Sequence, residues 1–135
     1  MSEFIWPVRV YYEDTDSGGI VYYANYLKFM ERARTELLRK HGIEQDQLIE
    51  AEGIIFAVRR VEADYLRPAR FNDALDVSAS VTAMGKVSMT FTQEVRLAGT
   101  DQVLCHGEAK VACLDAVRFR PHPIPQKLKI AFAPE

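Results

Sequence analysis

Three carboxylates stand close together near the start of the chain, directly ahead of two glycines. Glu13, Asp14 and Asp16 precede Gly18 and Gly19 in the sequence. A carboxylate held in such a loop can act as a general base or as a nucleophile. The same residue types are also common in turns and helix caps, so the pattern by itself leaves a purely structural role open.

The Asp14-Thr-Asp16 spacing allows one other chemistry. An Asp-x-Asp pair can bind a divalent metal beside a nucleotide-sugar. No other feature of the sequence suggests a nucleotide-binding fold, however, and His41, His106 and His122 lack the spacing of metal ligands. The sequence therefore predicts neither a metal site nor a cofactor.

A helix is predicted to begin a few residues after the two glycines and to run from about Ala24 to Lys40. Apolar residues recur on one broad face at helical spacing: Tyr26, Phe29, Met30, Ala33, Leu37 and Leu38. His41-Gly42 supplies a cationic end and a stop. The first N–H groups of a helix lack partners and carry a partial positive charge, so this terminus can stabilise an oxyanion.

The rest of the sequence predicts a sheet that must hold this helix and loop in place. Alternating residues predict a first strand over Val8–Glu13 and further strands over residues 54–66, 75–83, 87–97 and 103–114. Short connections between the later strands are typical of an antiparallel meander. A second helix is predicted over Glu44–Ala51, and the proline-containing tail after Arg118 is predicted to be extended.

One long helix against one antiparallel sheet is a two-layer α+β domain, and 135 residues suit a single domain covering residues 1–135. One helix covers a sheet face incompletely, and the predicted strand over residues 54–66 carries apolar residues on both sides. A second copy of the chain could bury them by extending the sheet or by packing a second helix. The sequence therefore predicts a homo-oligomer.

Composition excludes several classes of function. The net charge of −2 gives no electrostatic footprint for nucleic acid. No stretch reaches the roughly 18 apolar residues of a membrane span, and the first residues lack a signal-peptide pattern, which predicts a cytoplasmic protein without membrane insertion. Cys105 and Cys113 fall in one predicted strand, about 26 Å apart. They are too distant for a disulfide and are predicted to be small buried hydrophobic residues.

Several segments together resemble the hotdog-fold 4-hydroxybenzoyl-CoA thioesterase family. Within that family they are most similar to the Tol-Pal-associated acyl-CoA thioesterases of the YbgC type. The resemblance rests on residues 10–26 (VYYEDTDSGGIVYYANY) and 29–36 (FMERARTE), and it includes the Trp6-Pro-Val opening and the Tyr65-Leu-Arg-Pro-Ala69 stretch. It implies an α+β hotdog fold, in which a curved antiparallel sheet wraps one long central helix. It also implies a homodimer that joins the sheets of two subunits, or a homotetramer of paired dimers, with active sites at the dimer interface.

The resemblance further implies hydrolysis of acyl-CoA to a free acid and CoA. Position by position, Asp16 matches the catalytic carboxylate, acting as base or nucleophile, and the backbone N–H of Tyr23 matches the donor that polarises the thioester carbonyl. Gly18 and Gly19 would let the backbone approach the acyl group. Three residues match positions that contact the CoA phosphates and the pantetheine arm in some relatives: Lys86, Ser88 and Arg120. Solvated surface charge is the alternative interpretation for Lys86 and Arg120.

One position departs from the resemblance. YbgC-type members carry a histidine where this chain has Tyr23, whereas the 4-hydroxybenzoyl-CoA branch has an aromatic residue there and uses the backbone amide. The departure keeps a second hypothesis open, a non-catalytic binder of acyl-CoA or of acyl carrier protein. Dehydratase chemistry on the same fold is a third and weaker hypothesis, because it needs a histidine in the site and none precedes His41.

Overall fold

A computed structural model describes residues 3–133 of the chain. The elements in chain order are β1 (Phe4–Arg9), α1 (Asn25–Lys40), α2 (Gln45–Glu52), β2 (Ile54–Tyr65), β3 (Ala74–Met84), β4 (Ser88–Leu97), β5 (Val103–Asp115) and α3 (Gln126–Ala131). The five strands form one antiparallel sheet in the order β1-β3-β4-β5-β2. The predicted two-layer α+β architecture is confirmed.

Helix α1 packs across the sheet with the apolar face that its sequence predicts. The buried residues are Tyr26, Phe29, Met30, Ala33, Leu37 and Leu38. Gly42 ends the helix with a φ of 77°, a backbone conformation that a residue with a side chain rarely adopts. The predicted second helix is also confirmed, as α2. Burial of this stripe fixes where the N-terminus of α1 points.

A buried polar side chain also ties α1 to the sheet. Gln93, on β4, donates to the carbonyl oxygen of Met30 at 2.9 Å and to that of Ser78 at 3.2 Å. Its own side-chain oxygen accepts a hydrogen bond from the Arg34 guanidinium at 2.9 Å. Buried amides are stable only when their hydrogen bonds are made, so this network sets the position of α1 along the strands.

The predicted first strand over Val8–Glu13 is wrong in its position. β1 ends at Arg9, and Tyr12–Asp14 forms a single 3₁₀ turn. The Asp14 carboxylate accepts a hydrogen bond from the Tyr11 N–H at 2.8 Å, which stabilises the turn. Pro7 hides the true strand in the sequence, because proline cannot donate to a ladder. β1 lies at an edge of the sheet, however, where a missing donor is tolerated.

The prediction of an extended tail is also wrong in part. The backbone is extended through the prolines as far as Pro125, and α3 then begins at Gln126. Leu128 in this helix and Phe132, the residue that follows it, are four positions apart, and both are buried. The residues at the two ends of the predicted domain, 1–2 and 134–135, lie outside the described residues.

Strand β2 forms the other edge of the sheet and is unusually apolar for an edge. It is 12 residues long, and Val58 and Val61 expose 52% and 43% of their surface. Both residues line a groove of about 480 Å³ that runs between β2 and α1 and also includes Leu27. A long edge strand with exposed apolar side chains is a ready site for pairing with another chain.

Strands β2 and β5 approach each other closely at one glycine. Gly107 on β5 is buried and lies opposite Ala63 of β2. A Cβ atom at this position would lie 2.5 Å from the carbonyl oxygen of Glu62, which is closer than real contacts allow. Position 107 therefore requires glycine if the two strands are to pair as they do.

Both cysteines are buried and free, as predicted. Burial raises the pKa of each thiol to about 11. Within residues 3–133, no helix is long and apolar enough to cross a membrane.

Candidate active site

The carboxylate loop folds into a small hairpin that places Asp16 near its tip. The N–H of Tyr22 donates to the carbonyl oxygen of Asp14 at 2.9 Å, and the N–H of Asp16 donates to that of Ile20 at 2.9 Å. A hydrogen bond of 3.0 Å from the Gly19 N–H to the Asp16 carbonyl oxygen closes the turn. Gly19 has a φ of 79°, so this tight turn favours glycine.

The Asp16 side chain is exposed and only half engaged. Its Oδ1 atom accepts a hydrogen bond of 2.8 Å from the Gly18 N–H. No other hydrogen bond to this carboxylate forms within residues 3–133, so the second oxygen is open to a substrate or a water molecule. A Cβ atom on residue 18 would lie 3.2 Å from Oδ1, so glycine leaves the carboxylate room to sit over the turn.

Asp14, by contrast, has a structural role. Its side chain accepts the Tyr11 N–H, and its carbonyl oxygen accepts both the Tyr22 N–H and the side-chain amide of Asn25 at 2.9 Å. These bonds hold the hairpin against the first turn of α1. The structure therefore distinguishes the exposed, half-engaged Asp16 carboxylate from Asp14, whose hydrogen bonds hold the loop together. The sequence pattern alone did not make this distinction.

The second half of the candidate site is the N-terminus of α1. Tyr23 lies two residues before Asn25, the first helical residue. The N–H groups of Tyr23 and Ala24 donate no hydrogen bond to any group in the described part of the chain, whereas the N–H of Asn25 donates to the Tyr22 carbonyl oxygen at 2.8 Å. Two open donors at the positive end of a 16-residue helix can bind a developing negative charge.

Asp16 and the two open N–H groups lie in the same loop. The backbone N–H of Asp16 donates to the carbonyl oxygen of Ile20, so these two residues lie opposite each other in the hairpin. Tyr23 is three residues further along the chain, and even a fully extended backbone places its Cα at most about 10 Å from that of Ile20. The predicted residues Asp16, Gly18, Gly19 and Tyr23 are thus brought together by one hairpin and one helix start.

An aromatic cluster borders this helix start. The Tyr23 ring contacts Tyr22, with centroids 4.9 Å apart, and meets Tyr65 of β2 edge-on at 5.9 Å. Tyr26 contacts Tyr65 at 5.5 Å, and burial raises the pKa of both of these phenols. A cavity of about 250 Å³ opens here, lined by Ile20, Val21, Tyr23, Tyr26, Tyr65, Leu66, Arg67 and Pro68.

Tyr65 and Arg67 are residues of this cavity that the sequence analysis did not assign to the site. Both lie in the Tyr65-Leu-Arg-Pro-Ala69 stretch, which carries part of the family resemblance. The resemblance of that stretch was the one sequence signal that could have assigned Tyr65 and Arg67 to the site. The position of the stretch beside the helix start depends on a hydrogen bond of 2.9 Å from the Ala69 N–H to the Tyr26 hydroxyl, between residues 43 positions apart in the sequence.

The three residues predicted to contact CoA lie at the opposite end of the sheet within one chain: Lys86, Ser88 and Arg120. Ser88 pairs with Ala112 of β5, and hydrogen bonds connect the Lys86 and Arg120 segments to the same end. Tyr65, in the aromatic cluster, pairs with Cys105 of β5. Cys105 and Ala112 are seven residues apart, or about 23 Å. A single chain does not bring this group to Asp16.

One antiparallel sheet of five strands packed against one long helix is the architecture that the resemblance to the hotdog thioesterases implies. The family described as the thioesterase superfamily matches residues 18–104. A solved 1,4-dihydroxy-2-naphthoyl-CoA thioesterase from Synechocystis superposes with a TM-score of 0.90 over 97% of this chain and 96% of its own, at 22% identity, which shows the shared fold.

Curated relatives are closer in sequence. The acyl-CoA thioester hydrolase YbgC of Escherichia coli is 43% identical over 96% of this chain and 95% of its own length. The acyl-CoA thioesterase YbgC of Haemophilus influenzae is 42% identical over 96% of this chain and 93% of its own. The chain belongs to the thioesterase superfamily, and the predicted hotdog fold and enzyme class, a thioester hydrolase, are confirmed.

Proposed function

We propose that the protein hydrolyses acyl-CoA to a free acid and CoA, with Asp16 and the Tyr23 backbone amide as its working groups. The observation that carries the proposal is that one loop holds both a half-engaged carboxylate and open N–H donors. The substrate class follows from the two YbgC relatives, which are 43% and 42% identical over most of the chain and are named for acyl-CoA.

The hydrolysis adds one water across the C–S bond. As a general base, Asp16 takes a proton from water while the hydroxide adds to the thioester carbonyl carbon. The Tyr23 N–H, aided by the α1 dipole, then holds the resulting oxyanion. When the C–S bond breaks, the thiolate of CoA takes the proton back from Asp16. As a nucleophile, Asp16 would instead add to the thioester carbonyl carbon and expel CoA as its thiolate, which leaves a mixed anhydride between Asp16 and the acyl group. Water then cleaves the anhydride to the free acid and the Asp16 carboxylate, and a proton from that water passes to the thiolate.

The proposal includes a dimer joined at the β2 edges. Antiparallel pairing of two copies of β2 about a two-fold axis would place the Ala57 end of one strand beside the Tyr65 end of the other. Because Ala57 pairs with Ala112, next to Ser88, this arrangement would bring one subunit's Lys86 and Ser88 towards the other's Asp16 loop. The predicted CoA contacts would then come from the neighbouring subunit. The cytoplasmic location stays a prediction.

Replacing the carboxylate tests the mechanism. We expect Asp16→Asn to lower kcat by at least about 100-fold, because an amide can neither take the proton nor attack the carbonyl. Thiol release from a panel of acyl-CoA substrates measures the effect, and the melting temperature should stay unchanged since this side chain is exposed.

Glu13→Gln is the matched control, because it neutralises an exposed carboxylate three residues away and should keep wild-type turnover. Wild-type kcat in the Asp16→Asn variant would contradict the assignment. A wild-type protein that binds acyl-CoA tightly but releases less than one thiol per subunit would support the binder hypothesis instead.

A further inference from the structure

Two arginines without ion pairs flank the candidate active site. Arg67 and Arg70 lie in the loop between β2 and β3, and both are exposed. Neither guanidinium takes part in a salt bridge or a side-chain hydrogen bond within residues 3–133. Other arginines of the chain, such as Arg39 and Arg96, pair with two glutamates each. Guanidinium groups left open in this way are suited to an external anion.

The backbone places these arginines next to the Asp16 hairpin. The backbone of Ile20 lies between those of Asp16 and Arg70. The Asp16 N–H donates to the Ile20 carbonyl oxygen, and Ile20 forms an antiparallel bridge with Arg70. The bond from the Val21 N–H to the Ala69 carbonyl oxygen, at 2.9 Å, holds this second pairing. Asp16 and Arg70 are thus two inter-strand spacings apart, or about 10 Å between their backbones.

Arg67 connects two cavities. It lines the 250 Å³ cavity of the aromatic cluster, together with Tyr23. It also lines a groove of about 380 Å³ that includes Arg70 and Asp73. Arg67 and Pro68 border both openings, so a ligand could run from Tyr23 past Arg67 into the groove.

The groove is positively charged on balance. Asp73 is the one acidic residue among those that line it, and its carboxylate accepts a hydrogen bond from the Arg70 backbone N–H at 2.9 Å rather than from a guanidinium. Two guanidinium charges therefore face one carboxylate, on a chain whose net charge is −2. Local positive charge of this kind attracts anionic groups.

We propose that Arg67 and Arg70 bind the phosphate groups of CoA in this groove, beside the Asp16 loop of the same chain. The inference rests on the proposed function. Planar guanidinium groups bind phosphate oxygens in pairs, which suits them to this ligand. The pantetheine arm has the backbone length of about four amino-acid residues and so spans about 14 Å, enough to join a thioester at Tyr23 to a phosphate beside Arg70.

Comparing two thioesters with the same acyl group tests the proposal. Acyl-CoA carries the phosphates, whereas the acyl thioester of N-acetylcysteamine ends before them. We expect Arg67→Gln and Arg70→Gln each to raise KM for acyl-CoA about tenfold, the effect of losing one charge-assisted hydrogen bond. Arg70 does not line the cavity beside Tyr23, so Arg70→Gln should leave kcat unchanged and should keep kcat/KM for the N-acetylcysteamine thioester at the wild-type value.

Lys40→Gln is the control, since it removes one exposed positive charge at the C-terminal end of α1, away from the groove lined by Arg67 and Arg70. It should leave KM for both thioesters unchanged. Equal effects of the Arg70 substitution on both thioesters, or no effect of either substitution on KM for acyl-CoA, would overturn the proposal. A KM increase produced by Lys86→Gln and Arg120→Gln but not by the two groove variants would also overturn it.

Two further measurements separate related outcomes. Acyl carrier protein presents the same phosphate on its pantetheine arm, so an effect confined to the acyl carrier protein thioester would assign the groove to that partner and overturn the assignment to CoA. Calorimetric titration with CoA alone requires no turnover. Weaker binding by the Arg67→Gln and Arg70→Gln variants would support the groove even if the wild-type protein hydrolysed neither thioester, in which case only the proposed function would fail.

Discussion

At the scale of single residues, Asn25 connects the two halves of the candidate site. Its side-chain amide donates to the carbonyl oxygen of Asp14, and its backbone N–H donates to that of Tyr22. Asn25 touches none of the reacting atoms in the proposed mechanism. It is a positioning residue, which holds the Asp16 hairpin at a fixed place relative to the open N–H groups.

Substituting Asn25 should therefore reduce turnover by displacing the loop. We expect Asn25→Ala to lower the free energy of unfolding by about 1 kcal/mol, the usual contribution of one hydrogen bond, and to lower kcat with little change in KM. Asn25→Asp keeps the shape of the side chain, but its carboxylate cannot donate a hydrogen bond to the Asp14 carbonyl oxygen. Its kcat should therefore fall as far as that of the alanine variant. Urea denaturation and steady-state kinetics measure the two effects. An aspartate variant with wild-type kcat would show that the donated bond does not position the loop.

The residue types of the site were predictable, but their roles were only partly so. Sequence reasoning identified the carboxylate cluster, and the resemblance selected Asp16. Separating Asp14 from Asp16 required knowing that the Tyr11 N–H and the Asn25 amide both bond to Asp14. The open N–H of Tyr23 depends in the same way on the backbone path before α1, which no side-chain pattern specifies.

At the scale of elements, the pairing of β2 with β5 depends on Gly107. We expect Gly107→Ala to lower the free energy of unfolding by about 1–3 kcal/mol, because the added methyl group would push against the Glu62 carbonyl oxygen and separate the strands. Chemical denaturation measures the change. An alanine variant as stable as the wild type would show that the two strands can move apart without cost.

Elements with a strong period were predicted correctly, whereas two elements with misleading local signals, β1 and α3, were not. The apolar stripe of α1 continues over 16 residues and is buried as a unit. β1 was misplaced because the alternation of Val8, Val10 and Tyr12 runs on into a turn, and because Pro7 lies inside the true strand. α3 was missed because three prolines precede its six residues.

At the scale of the whole molecule, the dimer proposed above depends on the exposed edge of β2. We expect Val61→Lys to convert the proposed dimer, or larger oligomer, into a monomer, because a charged side chain on an edge strand opposes pairing with another strand. Light scattering after size-exclusion chromatography measures the mass. Thr92→Lys on β4, away from this edge, should keep the wild-type mass. A Val61→Lys protein of unchanged mass would place the interface elsewhere.

The sequence predicted an oligomer from uncovered apolar surface, but it could not show which residues a second copy would supply. Lys86 and Arg120 match CoA contacts in the resemblance, yet the described chain holds them at the far end of β5 from Tyr65. Their role depends on the arrangement of subunits. A pattern within one chain does not contain that information.

The bond between the Tyr26 hydroxyl and the Ala69 N–H also bears on how the chain length can vary among relatives. Together with the Val21–Ala69 backbone bond, it clamps the Tyr65–Arg70 segment to the start of α1. Inserting or deleting a residue between Val21 and Tyr26 would break the register of both bonds at once. The exposed turn at Gly99–Asp101 makes only local hydrogen bonds, among residues 97–102, so length changes should accumulate there and spare the hairpin.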